Sequence, residues 1–237
     1  ARRSAYYPVE MSRIIREIVE SDGDYAVTCL PCFAKALRLA CDRVPVLRQR
    51  IKCIVGLVCG HTVSSCFADY AAVCASGATK RPTRVTFKTK DSRFPTTEHG
   101  TECTWFVNGA EAKKTVFWSE GLAEAWCNHW FTPNPCFYCD DIFAETADIA
   151  FMDAWLPEYE SDYRGTSIVI VRSDLADRII QEGISTNAIH INECSTDDVI
   201  ASPSEVVKNK RHGLAHRVWI TQSKKSHLPT TRVQPSP

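Results

Sequence analysis

Twelve cysteines in a chain of 237 residues are an excess that calls for a chemistry. Four of them, Cys32, Cys59, Cys136 and Cys139, stand where a soft metal centre could use them. The two-residue gap of Cys136-Phe137-Tyr138-Cys139 lets two thiolates face one metal. Cys32 follows a β pattern and opens a helical one, and Cys59 follows a second β pattern. Zinc and iron–sulfur centres both accept four sulfurs. Zinc normally takes its ligands from two tight knuckles, whereas two of these thiols come singly from separate elements, which favours a 4Fe-4S cluster. Four unrelated packing thiols are the plain alternative. A local rival is Cys29-Leu30-Pro31-Cys32, which has the form of a dithiol redox pair at a strand-to-helix junction. Cys29 is then a partner thiol or a reserve ligand. Cys41, Cys66, Cys74 and Cys103 read as small packing residues, since free cysteine behaves like a small hydrophobe.

Those thiols must be held by a fold, and composition bounds it. With 44% apolar residues the chain can bury one good core or two modest ones. Its 28 basic and 28 acidic residues leave no global field for nucleic acid or an anionic membrane surface. The longest apolar runs, such as Ile54 to Cys59, are far too short to span a bilayer. A soluble, cytoplasmic protein with no nucleic-acid partner and no membrane span is expected. The chain opens on Ala1-Arg2-Arg3-Ser4 without a methionine or an apolar leader, so it reads as a segment of a longer protein.

Met11, Ile14, Ile15, Ile18 and Val19 recur at three- and four-residue steps and give one face of a helix within Val9 to Glu20. Tyr25 to Cys29 reads as a strand, Phe33 to Arg43 as a helix and Ile51 to Val58 as a second strand. This βαβ unit lays both strands parallel and puts their C-terminal ends, with Cys32 and Cys59, on one sheet edge. A helix from Ser65 to Ala75 follows, and then period-two strands around Asn108-Gly109, a hairpin turn signal. Gly121 to Trp130 returns to helix, and Thr132-Pro133-Asn134-Pro135 breaks it and delivers the Cys136 and Cys139 loop. Ile149 to Phe151 and Ser167 to Val171 are further strands. Ser173 caps a helix that stops at Gly183. The fold class expected is mixed α/β, with a parallel βαβ core, an antiparallel hairpin extension and a C-terminal helical segment. One domain over residues 1–220 and a loose tail over 221–237 are expected.

Asp140, Asp141, Asp148 and Asp153 follow the cysteine pair and suit caps, acceptors around a metal centre or parts of a cofactor site. His61 and His129 read as packed or solvated residues, and Trp126, Trp130 and Trp155 as core. Lys208, Lys210, Arg211 and Arg217 lie along the terminal helix and read as a solvated face. No glycine-rich phosphate loop occurs.

Taken in order, several segments resemble the beta subunits of coenzyme F420 hydrogenases and dehydrogenases, in the C-terminal part of that fold. They are Arg3-Ser4-Ala5-Tyr6-Tyr7-Pro8-Val9, Leu30-Pro31-Cys32, Gly56-Leu57-Val58-Cys59-Gly60, Cys136-x-x-Cys139, Ala147-Asp148-Ile149, Met152-Asp153-Ala154-Trp155 and Gly165-Thr166-Ser167. The resemblance implies an oxidoreductase that binds FAD and a 4Fe-4S cluster and passes electrons to coenzyme F420 or a related redox acceptor. It also implies ferredoxin or hydrogenase and dehydrogenase subunits as partners. By the same resemblance Cys32, Cys59, Cys136 and Cys139 are the cluster ligands, and Arg3, Ser4, Tyr6 and Asp153 contribute to cofactor binding. Two further readings stay open beside it, a ferredoxin-linked reductase of another substrate and a non-catalytic electron-relay subunit. The family's first segment, which helps build the flavin pocket, is absent from this sequence. The family's usual lysine near the start is Arg3, which keeps the charge but not the geometry.

Overall fold

A computed structural model describes residues 5–77 and 80–237. Its elements, in chain order, are α1 (Ser12–Glu20), β1 (Tyr25–Cys29), α2 (Pro31–Arg43), α3 (Pro45–Arg50), β2 (Ile51–Leu57), α4 (Cys66–Ser76), β3 (Arg84–Thr89), β4 (Gly100–Val107), β5 (Ala110–Phe117), α5 (Ala123–Cys127), β6 (Ile149–Asp153), β7 (Ser167–Val171), α6 (Asp174–Ser185), α7 (Thr196–Ala201), α8 (Ser204–Lys208) and α9 (Leu214–Ser223). They form two compact units. The first holds residues up to Val9, His61–Cys136 and Trp155–Thr166, and the second holds Glu10–Gly60, Phe137–Ala154 and Ser167–Pro237.

The second unit contains the expected βαβ core. Its sheet runs in the order β1-β2-β6-β7, with β1, β2 and β6 parallel and β7 antiparallel on the edge. A two-sided parallel strand is buried on both faces, which is why Ile51–Leu57 is nearly all apolar. Ile18, Val27, Ala34, Leu37, Leu47, Ile54 and Ala150 pack one face of this sheet. Gly56 is required by close packing. A Cβ built there would fall against the Cβ atoms of Ala144 and Ala147, the latter at 2.9 Å. Asp148 ties the sheet start together. Its carboxylate accepts from the Ile54 amide at 2.7 Å and from Arg38 Nη2 at 2.6 Å, while its own amide donates to the Ile54 carbonyl. This carboxylate is a strand-end clamp, holding β2, β6 and α2 in register.

The first unit holds the antiparallel sheet β3-β4-β5. Asn108 and Gly109 turn the hairpin with φ of 52° and 80°, the pair of positive values that a type I′ turn demands. The face of the sheet packs on α4 through Phe67, Phe87, Trp105, Val116 and Leu122.

At two glycines the helix boundary differs from expectation. The helix expected over Gly121 to Trp130 is only Ala123–Cys127, preceded by a wide turn at Trp118–Leu122 that kinks at Glu120 and Gly121. Gly121 adopts φ 103°, which continues no α-helix. Conversely, Gly183 does not stop its helix, which runs on to Ser185. Ile189 folds back so closely that a Cβ at Gly183 would meet its Cδ1 at 2.9 Å. The glycine therefore admits a neighbour rather than ending a turn. Ser173 does cap the helix, accepting from the Ala176 amide.

Candidate metal centre and its surroundings

Three of the four candidate thiols, Cys32, Cys59 and Cys139, belong to the second unit, the first two just past the C-terminal ends of its parallel strands β1 and β2. Cys32 is the second residue of α2, directly after β1, and is exposed. Pro31 occupies the first helical position, where a missing N–H costs nothing. Cys59 lies two residues past β2 and is half-buried, and its amide donates to the Ile142 carbonyl at 3.0 Å. That bond lays the stretch after Cys139 over the end of β2. Cys139 follows the short 3₁₀ turn Asn134–Tyr138 and is half-buried. Cys136 is the last residue of the first unit, on the same turn. None of the four is joined in a disulfide among the described residues. Among the same residues no three His, Cys, Asp or Glu side chains are arranged to hold a metal ion. What fits a thiolate-held group is the position of Cys32 and Cys59 past the ends of β1 and β2 and the soft character of the donors.

Cys29 is a poor candidate for redox attack. It is buried at the end of β1, and burial first, then the neighbouring Cys32, pushes its thiol up to about 11. A thiol so raised is protonated at neutral pH, and only about one in a thousand is thiolate at pH 8. Iodoacetamide at pH 8 is therefore expected to label exposed Cys32 in the folded protein and to reach Cys29 only after unfolding. Peptide mapping that found equal labelling of the two would restore the dithiol reading.

The loop carrying Cys139 is wrapped by cations from the C-terminal region, which the charge pattern alone places on a solvated face. Lys210 lies in a wide helical turn, Asn209–Gly213, and is only 4% exposed. Its ammonium donates to Cys139 Sγ at 3.4 Å and to the Asp141 carbonyl at 2.7 Å. Arg211 Nη1 donates to the Asp140 carbonyl at 2.8 Å, and Arg217 Nε donates to the Phe137 carbonyl at 2.9 Å. Tyr138 and Thr221 pair through their hydroxyls at 2.9 Å. The signal that could have found this face is periodicity: Lys210, Leu214, Arg217 and Thr221 recur at steps of four, three and four, on the stripe that buries Leu214 and Val218.

Within the segment expected to be loose, Arg232 reaches the same loop. Its amide and Nε donate to one Asp140 oxygen at 2.9 and 3.1 Å, and its guanidinium also pairs with Glu145. Burial works to raise the Asp140 carboxyl, and the Arg232 donors overcome it and hold it below the usual range. The Arg232 bond lowers Glu145 likewise. Asp141, by contrast, is raised by burial.

The other candidate residues are dispersed. Arg3 and Ser4 lie outside the described residues. Tyr6 packs in the first unit, its ring 5.2 Å from Phe87 and 4.8 Å from Trp126. Asp153 ends β6 in the second unit, exposed, with its carbonyl accepting from Ser202 Oγ. His61 is not isolated: its ring lies tilted 4.4 Å from Trp126 and meets His129 edge-on at 4.5 Å. Trp126 is half-buried against the core of the first unit, whereas Trp130 is exposed, against expectation.

Among the described residues no helix is long and apolar enough to cross a membrane. Residues 22–197 match the family profile that describes the C terminus of the coenzyme F420 hydrogenase/dehydrogenase beta subunit. The chain is similar in fold to one in the xenon-derivatised F420-reducing [NiFe] hydrogenase complex from Methanosarcina barkeri, with TM-score 0.64 and 14% identity over 97% of this chain and 73% of that one. No curated protein matches the sequence.

Proposed function

This chain belongs to the family formed by the C-terminal part of coenzyme F420 hydrogenase/dehydrogenase beta subunits, an oxidoreductase family, and from that premise we propose that it serves an iron–sulfur flavoprotein that moves electrons between a 4Fe-4S cluster, FAD and coenzyme F420 or a related acceptor. The observation that supports the reading is that the segments carrying Cys32 and Cys59 leave β1 and β2 side by side, with the stretch after Cys139 bonded to the Cys59 amide through the Ile142 carbonyl. Cys136, three residues before Cys139 along the chain, is the fourth thiol proposed. A 4Fe-4S cluster, when bound, supplies one-electron transfer, and FAD joins such steps to a two-electron acceptor.

The chain's own residues do the positioning. β1 and β2 end in register, Cys29 against Gly56, so the segments carrying Cys32 and Cys59 leave the sheet side by side. The Ile142 carbonyl fixes the turn after β2, and the Asp148 clamp fixes the return of the chain into β6. Arg211, Arg217 and Arg232 hold the carbonyls and carboxylates of the Cys139 loop, which gives that loop one shape. Arg3, Ser4, Tyr6 and Asp153 remain the residues proposed to meet the flavin. Ferredoxin or hydrogenase and dehydrogenase subunits are the partners this reading calls for.

The test is an anaerobic assay with FAD added. Protein reduced by dithionite, freed of excess reductant and mixed with oxidised coenzyme F420 is expected to bleach the visible absorbance of that acceptor. Bound flavin with no bleaching would turn the reading to another substrate, and cluster without bound flavin would turn it to an electron relay.

A further inference from the structure

Lys210 lies beyond residues 22–197, the span matched by the family profile, yet its ammonium donates to the sulfur of a proposed ligand. Burying an ammonium is costly unless negative charge answers it. Its two hydrogen-bond acceptors are the Cys139 sulfur and the Asp141 carbonyl. Among the described residues no carboxylate makes an ion pair with it. The Asp141 carboxylate accepts from the Glu145 amide and feels Lys210 only at longer range. An anionic sulfur at Cys139 is the partner that would balance the buried charge.

We infer that Lys210 is a positioning residue for the electron-transfer centre, its ammonium stabilising negative charge on the Cys139 sulfur and so raising the reduction potential of the centre that this sulfur holds. The inference rests on the reading of Cys139 as a cluster ligand. A donor and a positive charge beside a ligating sulfur favour the more reduced, more negative state of the centre. The couple takes one electron, supplied in the measurement by dithionite. Because Lys210 comes from the segment after α8, this tuning is a property of the C-terminal region rather than of the matched family span.

The test uses the full chain with its cluster reconstituted anaerobically, iron measured per chain and the midpoint potential followed by visible absorbance. Lys210→Met and Lys210→Gln are expected to keep their iron and to bind the electron about tenfold less tightly, a shift of about 59 mV to lower potential for a one-electron couple. Lys210→Arg, which keeps the charge, is expected to stay near the wild-type potential. If Lys210→Met fails to fold, the Gln and Arg pair carries the same comparison. Full iron with unchanged potential in the neutral variants would overturn the inference alone and leave the ligand reading standing. Loss of iron in all three, Arg included, would mark a structural lysine and overturn it too. A wild-type chain that takes up no iron would sink the ligand reading, and this inference with it.

Discussion

Gly56→Val is expected to leave the second unit unable to fold at ordinary temperature, and Gly56→Ala to lower stability by about 1–3 kcal/mol, the usual cost of overpacking a tight core. The added Cβ would drive into Ala144 and Ala147, which are 0% and 3% exposed. Neither alanine has a rotamer with which to yield. β2 cannot shift away, because it is paired to β1 at Cys29 and to β6 at Ala150, on both sides of Gly56 itself. For a chain of this size each kcal/mol moves Tm by about 2–4 °C. Thermal unfolding followed by circular dichroism reads the effect, and a Gly56→Val protein melting with the wild type would mean that β2 and the 144–147 turn do not pack so closely. Cys59 stands three residues on, so any displacement of β2 also disturbs the thiol edge.

Serine substitution of single cysteines separates ligands from packing residues. Cys59→Ser and Cys139→Ser are each expected to lose most of the iron that the wild-type chain carries after anaerobic reconstitution. Serine offers a hard, protonated oxygen where a soft thiolate is required. Cys41→Ser is the control, since Cys41 is buried among Ala34, Leu37 and Leu47, along α2 and away from the thiol edge. It is expected to cost stability rather than iron, because a hydroxyl in an apolar site lacks a ready partner. Equal iron in all three variants would contradict the ligand set.

Much of the second unit was legible because parallel strands leave strong marks. Tyr25 to Cys29 and Ser167 to Val171 were bounded correctly, since each is a short apolar run between turn residues and has one reading. Asn108-Gly109 fixed the hairpin for the same local reason. What failed was decided by tertiary contact. Gly183 looks like a helix stop until Ile189 packs over it. Gly121 opens the expected helix but cannot belong to it, because the chain must turn where β5 ends. Lys210 and Arg217 were misread because charge is usually solvated, and only the neighbouring loop, with its inward carbonyls, makes burial favourable. Arg232, 92 residues from Asp140 in sequence, left no local trace.

The sheet edge at Cys32 and Cys59 follows from the βαβ topology, and β1 and β2 do end side by side there, Cys29 against Gly56. Burial adds a distinction that spacing could not make: Cys29 and Cys32 are two residues of one motif, yet one is a closed core thiol and the other opens to solvent. The dithiol reading weakens on that difference.

The most direct measurement is the metal content and visible spectrum of the chain purified without oxygen. The account predicts a brown protein with about four iron and four acid-labile sulfide per chain and a broad absorbance that dithionite bleaches, as expected for a 4Fe-4S centre. A colourless protein carrying one zinc, or no metal at all after reconstitution with iron and sulfide, would contradict it.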